Sequence, residues 1–145
     1  MNVIATLSGV GRRYLQPIAS TALLLAISWC ALTGPALAAD VDNMRLWAAP
    51  DHARLVFDLS APVEADVFTL DNPDRLVIDL ADSQLQTDSA SLNLDGSAIS
   101  KVRTGVRGGN DLRVVLDLER RIEPRHFSLS PNDQYGHRLV VEAGQ

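Results

Sequence analysis

Four short runs along the chain share one order of apolar and charged positions. They are RLVFDLS at 54–60, RLVIDLA at 75–81, RVVLDLE at 113–119 and RLVVEAG at 138–144. Each opens on arginine, continues with three apolar residues and reaches an acid. Successive side chains of a β-strand point to opposite sides. In the first run Leu55, Phe57 and Leu59 therefore share one face, and Arg54, Val56 and Asp58 share the other. The same parity sets Leu76, Ile78 and Leu80 against Arg75, Val77 and Asp79, and Val114, Leu116 and Leu118 against Arg113, Val115 and Asp117. In the fourth run Leu139 and Val141 oppose Arg138, Val140 and Glu142. A period of two with many β-branched residues predicts half-buried strands rather than helices.

The pattern extends past these runs. Placing Arg54 on Arg113 brings Asp58 onto Asp117, Leu59 onto Leu118, Glu64 onto Glu123, Phe68 onto Phe127 and Leu70 onto Leu129 without a gap. Arg75 meets Arg138 after four additional residues, which the loop Asn132 to His137 accommodates. The spacing predicts two copies of a four-strand unit, over about 42–81 and 98–143. Strands are expected near 42–47, 53–60, 63–70 and 75–81, then near 98–106, 112–119, 122–129 and 138–143. Asp71-Asn72-Pro73-Asp74 reads as a type I turn, and Gly108-Gly109-Asn110-Asp111 and Pro131-Asn132-Asp133 are further turn-formers. The polar stretch Asp82 to Ser97 reads as a crossover with one helical turn.

A small sheet with one apolar face needs a cover. The second unit is the expected cover for the first. The fold class is thus all-β, a sandwich of two similar four-stranded sheets with a pseudo-twofold internal repeat. Phe57, Leu59, Leu76, Ile78, Leu80, Leu116, Leu118 and Phe127 are expected in the core, and the Arg-Val-acid strips outside.

The beginning of the chain breaks the alternation. Arg12 and Arg13 precede an apolar run from Ile18 to Leu32, and Ala36-Leu37-Ala38 has the small-x-small form cut by signal peptidase. Residues 1–38 read as a cleaved signal peptide, either an ordinary secretory signal or a twin-arginine one. Cys30, the single cysteine, lies within that leader, behind Trp29. Residues 39–145 then form one cysteine-free domain, without disulfides, thiolate nucleophile or zinc-thiolate site.

Charge narrows the partners. The leader holds two of the 13 bases and none of the 18 acids, so 11 bases face 18 acids afterwards, a net charge of −7. That excludes an ordinary nucleic-acid binder. Residues 40–95 are strongly acidic, whereas Lys101 to Arg125 carry an excess of bases. The asymmetry reads either as a solvated surface with local ion pairs or as an orienting feature on a charged partner.

Catalytic groups are scarce. Asp58, Asp79 and Asp117 are carboxylates of the kind that hydrolyse glycans in pairs. All three fall in the repeated strip, where cross-strand charge pairs account for them. Ser60 and Ser130 have no evident triad partners, and His52, His126 and His137 have no metal-ligand spacing. No catalytic residue, metal or cofactor is expected in this chain.

Arg54-Leu-Val-Phe-Asp-Leu-Ser-Ala-Pro-Val63, FTLDNPDRLVIDL at 68–80, Ile99-Ser-Lys-Val-Arg103 and Leu112-Arg-Val-Val-Leu-Asp-Leu118 resemble the AMIN domain. The resemblance covers essentially all of 39–145, with 68–80 its most specific part and closer to the amidase than to the pilus-secretin members. It implies a sandwich of two similar four-stranded sheets. It also implies a non-catalytic module that holds a periplasmic, cell-division N-acetylmuramoyl-L-alanine amidase on peptidoglycan at the septum. Division-site or envelope proteins are the further partners it implies; no membrane contact is expected after leader cleavage. Zinc is expected only in the catalytic domain such enzymes carry, which is expected to be absent from a chain that ends at Gln145.

A wall ligand offers carboxylates to arginine and sugar rings to exposed aromatics. Arg45, Arg54, Arg75, Arg103, Arg107, Arg113 and Arg138 are the candidate arginines, and for each strand arginine the alternative is a salt bridge to a neighbouring strand. Arg103 and Arg107 flank a glycine-rich hairpin and lead the group. Trp47 is the candidate stacking surface, and Tyr135, in the four-residue insertion, is a weaker one. The alternatives to wall binding are a protein-binding assembly module of a pilus secretin and a stand-alone envelope adaptor.

Overall fold

The alternating runs form hairpins, and the hairpins join across the repeat. A computed structural model describes residues 38–144. The expected leader, apart from Ala38, lies outside those residues. The strands are β1 (Ala39–Ala48), β2 (His52–Leu59), β3 (Ala65–Leu70), β4 (Arg75–Leu80), β5 (Ser83–Leu85), β6 (Ile99–Arg107), β7 (Asp111–Leu118), β8 (Glu123–Leu129) and β9 (His137–Gly144). A 3-10 turn at Ser89–Ser91, capped by the Asp88 side chain, supplies the expected helical turn. Among the described residues no helix is long and apolar enough to cross a membrane.

The sheets are not the two repeat units. One has five strands in the order β5-β1-β2-β9-β8, and the other has four in the order β3-β4-β7-β6. Each half contributes one hairpin to each sheet. The chain changes sheets in the connections β2–β3 and β7–β8, and also passes over to β5 and back between β4 and β6. Pro62 lies in the first of these, where its missing N–H cannot extend a ladder. The joins are antiparallel: β4 pairs with β7 (Ile78 opposite Val114), and β2 pairs with β9 (Val56 opposite Val140). Replacing each strand by its repeat partner turns the order β1-β2-β9-β8 into β6-β7-β4-β3, so the repeat relates one sheet to the other. β5 adds to β1 in parallel and has no counterpart in the second sheet. The expectation of two four-stranded sheets, one per unit, is thereby corrected.

The two sheets share one core. Leu55, Phe57 and Leu59 of β2, Leu76, Ile78 and Leu80 of β4, Val114 and Leu116 of β7 and Leu139 and Val141 of β9 are buried in a single apolar cluster. Removing each such side chain from water contributes about 1.5–3 kcal/mol. Leu118, expected in the core, is only partly buried at its edge. Phe127 is on the outside, 43% exposed, because Arg125, Phe127 and Leu129 share a side of the edge strand β8.

The outward strips are also less open than the alternation implies. Val56, Val77 and Val140 are buried although they point away from the core, and so is Asp79. Phe127 stands opposite Val140, and Phe68 opposite Val77. At the β3–β4 corner Asn72 has φ 57, so Asp71–Asp74 is not the expected type I turn.

Candidate functional site

Strand register places the charged residues in two related lattices, one on the outer face of each sheet. On the four-stranded sheet, Phe68, Val77, Val115 and Arg103 form one row across the strands. On the five-stranded sheet the equivalent row is Phe127, Val140, Val56 and Arg45. Arg45 Nη2 donates to Asp58 at 2.6 Å. Its repeat counterpart Arg103 donates to both oxygens of Asp117, at 3.0 and 2.5 Å. These donors hold the Asp117 carboxyl below the usual carboxylate range.

On the four-stranded face three of the four candidate arginines are held in ion pairs. Arg113 grips Asp79 through Nε and Nη2, each at 2.6 Å, and Arg107 adds a contact to the same carboxylate at 3.3 Å. Arg75 Nε donates to the Pro73 carbonyl at 3.3 Å. Arg103 and Arg107, favoured for their place beside the glycine-rich hairpin, thus both have carboxylate partners. The pairing of β6 with β7 and of β7 with β4 brings Asp117 and Asp79 within their reach. Arg75 and Arg113 lie on this same face.

The five-stranded face is different. Its outer side is a groove of about 930 Å³ lined by Arg45, Trp47, Arg54, Phe127, Tyr135 and Arg138, with Val56 and Val140 among the residues along its floor. Arg54 donates twice to Glu142 Oε1, at 3.0 and 2.5 Å. Arg138 and Arg125 have no carboxylate within 4.0 Å among the described residues. Arg138 lies opposite Asp58 in the ladder, but Asp58 is taken by Arg45.

Two local features make this face a groove. Trp47 stands where the repeat has Gly105: both lie opposite the arginine that opens the repeated run of the next strand, Arg54 and Arg113. Trp47 is 53% exposed, and its ring centroid lies 5.4 Å from the Arg45 guanidinium. The second feature is the insertion before β9. It carries Tyr135, whose ring centroid is 4.8 Å from the Arg138 guanidinium and 5.6 Å from that of Arg45. Both distances fit cation–π contacts. Nε of Arg45 and Nε of Arg138 are buried beside this ring without an acceptor.

Five expected residues therefore meet in one place: Arg45, Trp47, Arg54, Arg138 and the weaker candidate Tyr135. Arg75, Arg103, Arg107 and Arg113 are gathered on the opposite face. The groove residues the sequence reading missed are Arg125, Phe127 and Leu129 of β8 and the valine floor. Their shared parity with Arg125 was the available signal. It was overridden by the match of Phe127 to Phe68, which was assigned to the core. Among the described residues no three His, Cys, Asp or Glu side chains gather where they could hold a metal ion.

The site thus offers guanidinium donors and aromatic faces along an apolar floor, and no nucleophile with an activating base. It can bind an anionic, amphipathic ligand. Comparison with known proteins agrees on a lineage. The AMIN domain model matches residues 43–143. The N-acetylmuramoyl-L-alanine amidase AmiC of Escherichia coli O6:H1 is 28% identical over 93% of this chain and 33% of its own length. The enzyme of the same name from Neisseria meningitidis serogroup B is 28% identical over 90% of this chain and 32% of its own length. The chain spans about a third of the length of these curated relatives. With the family model covering most of the described residues and their two outer arginine lattices, the chain belongs to the AMIN domain family.

Proposed function

We propose that residues 39–145 are a non-catalytic, peptidoglycan-binding module that positions an N-acetylmuramoyl-L-alanine amidase on the wall of the periplasm at the division site. The observation that carries this reading is the AMIN match over 43–143, in a chain whose named relatives are both such amidases. The amidase relatives favour it over the secretin-assembly reading. The groove of the five-stranded face adds chemical support. Peptidoglycan combines sugar rings with stem-peptide carboxylates, and the groove combines exposed rings with arginines. Export through the leader, the septal address and the wall ligand are parts of this one proposal. No zinc is assigned to this module; zinc belongs to the catalytic portion of the proposed parent enzyme.

Among the described residues the core lies between Ala39 and Ala143, so the segment from Ala39 onward carries a core of its own. Co-sedimentation of that segment with purified sacculi tests the reading. The expected result is a salt-sensitive pellet fraction, since attraction between exposed charges is screened over about 8 Å at physiological ionic strength. Absence of pelleting at every salt concentration would overturn it and favour a protein partner.

A further inference from the structure

We infer that the two outer faces have divided their roles: the five-stranded groove receives the carboxylate-terminated peptide of a saccharide–peptide ligand, with Arg138 as its anion anchor. The inference rests on the proposed wall-binding function and names the part of the wall ligand that this face reads.

The repeat provides an internal control. Arg138 and Arg75 occupy equivalent positions, each opposite an aspartate that is already held by another arginine. On the four-stranded face Arg75 likewise has no carboxylate within 4.0 Å among the described residues, but its Nε finds the Pro73 carbonyl. On the five-stranded face Arg138 Nε finds no acceptor, and no carboxylate lies within 4.0 Å of the guanidinium among the described residues. A guanidinium donates through a planar fork that fits a carboxylate in two bonds. Tyr135 sits against Arg138 and Arg45 and holds both cations at one end of the groove. Fixing the fork beforehand lowers the ordering cost of binding.

The remainder of the groove suits the other half of such a ligand. Trp47 on β1 and Phe127 on β8 flank a floor of Val56 and Val140. Three interstrand spacings separate β1 from β8, roughly 14 Å. Exposed rings along an apolar floor favour the flat, C–H-rich faces of sugars. The groove's size, about 930 Å³, is that of a site for a ligand larger than a single sugar. A free anion alone would leave this aromatic surface unused, and a neutral glycan would leave Arg138 unpaired. The opposite face lacks the equivalents of both Trp47 and Tyr135, and its arginines Arg103, Arg107 and Arg113 are held by Asp117 and Asp79.

The test uses the segment from Ala39 onward and three soluble probes: a disaccharide carrying its stem peptide, the same molecule with its carboxylates converted to amides, and the disaccharide alone. Calorimetry should show the acid bound roughly tenfold more tightly than its amide, the difference that one charge-assisted pair supports. Arg138→Gln should remove that preference while Trp47→Ala weakens all three probes. Arg103→Gln, on the other face, should change each affinity less than twofold. Arg138→Lys, with its charge kept and fork lost, should fall between parent and Arg138→Gln, and melting curves verify that each variant is folded. Equal binding of acid and amide, or an unchanged preference in Arg138→Gln, overturns the anchor. A larger loss in Arg103→Gln overturns the choice of face. Either result together with retained binding to sacculi leaves the wall-binding function standing; loss of sacculus binding by the parent overturns both.

Discussion

Arg113 on β7 and Asp79 on β4 lie directly opposite each other, and the arginine donates to both carboxylate oxygens at 2.6 Å. The Asp79 side chain is only 6% exposed, so this pair is shielded at the seam where the two halves of the repeat join. Hydrogen bonds from Arg113 hold the Asp79 carboxyl below its ordinary range, against the opposing effect of burial. A folded-state pKa below the unfolded one stabilises the native state above the unfolded value, near 3.9 for aspartate. That contribution is lost as pH falls through the folded value. Denaturant midpoints should therefore hold near neutrality and decline below about pH 4. In Asp79→Asn this part of the decline should be reduced, with a cost of about 1.5–3 kcal/mol at pH 7. An acid limb identical to the parent's would show that the pair is not linked to folding.

Leu116 and Leu118 are neighbours of equal parity on β7 with different surroundings. Leu116 is 2% exposed, whereas Leu118 is partly buried at the core's edge. Leu116→Ala should cost about 2–5 kcal/mol through lost burial and the cavity left behind. Leu118→Ala should cost measurably less, because the rim can collapse or admit water. Urea unfolding of the two variants checks the order.

Phe57 and Phe127 give a second contrast. Phe57 is fully buried, and Phe127 stands 43% exposed on an edge strand. Phe57→Ala should lower stability by about 3–5 kcal/mol. Phe127→Ala should lower it by less than about 1 kcal/mol, while reducing the pelleting of the segment with sacculi. Equal destabilisation by the two changes would place Phe127 in the core, contrary to the groove described above.

Catalysis is the fourth test. No metal-binding cluster occurs among the described residues, and the serines and histidines form no nucleophile–base pair in the hydrogen bonds found. The segment from Ala39 onward should release no stem peptide from sacculi, with or without added zinc. Release above a heat-inactivated control would overturn its assignment as a non-catalytic module.

The strand content, the facing of most core residues and the duplication were legible in the chain itself. Period-two alternation determines which side of a strand goes inward, and the offset between Arg54 and Arg113 carries β2 at His52–Leu59 onto β7 at Asp111–Leu118. The four extra residues before Arg138 marked the insertion that carries Tyr135. Alternation is silent about neighbours. Pairing of β4 with β7 and of β2 with β9 depends on contacts far apart in sequence, and these decided that each sheet draws on both halves. The same pairings decided which arginines are occupied. Arg103 reaches Asp117 across one ladder, and Arg113 reaches Asp79 across another, whereas Asp58 satisfies Arg45 and leaves Arg138 without an ion pair, as Asp117 leaves Arg75. Residue type alone made all of these arginines candidates. Tertiary structure distinguished them, because an ion pair depends on the position of the partner's carboxylate, which the local pattern does not contain.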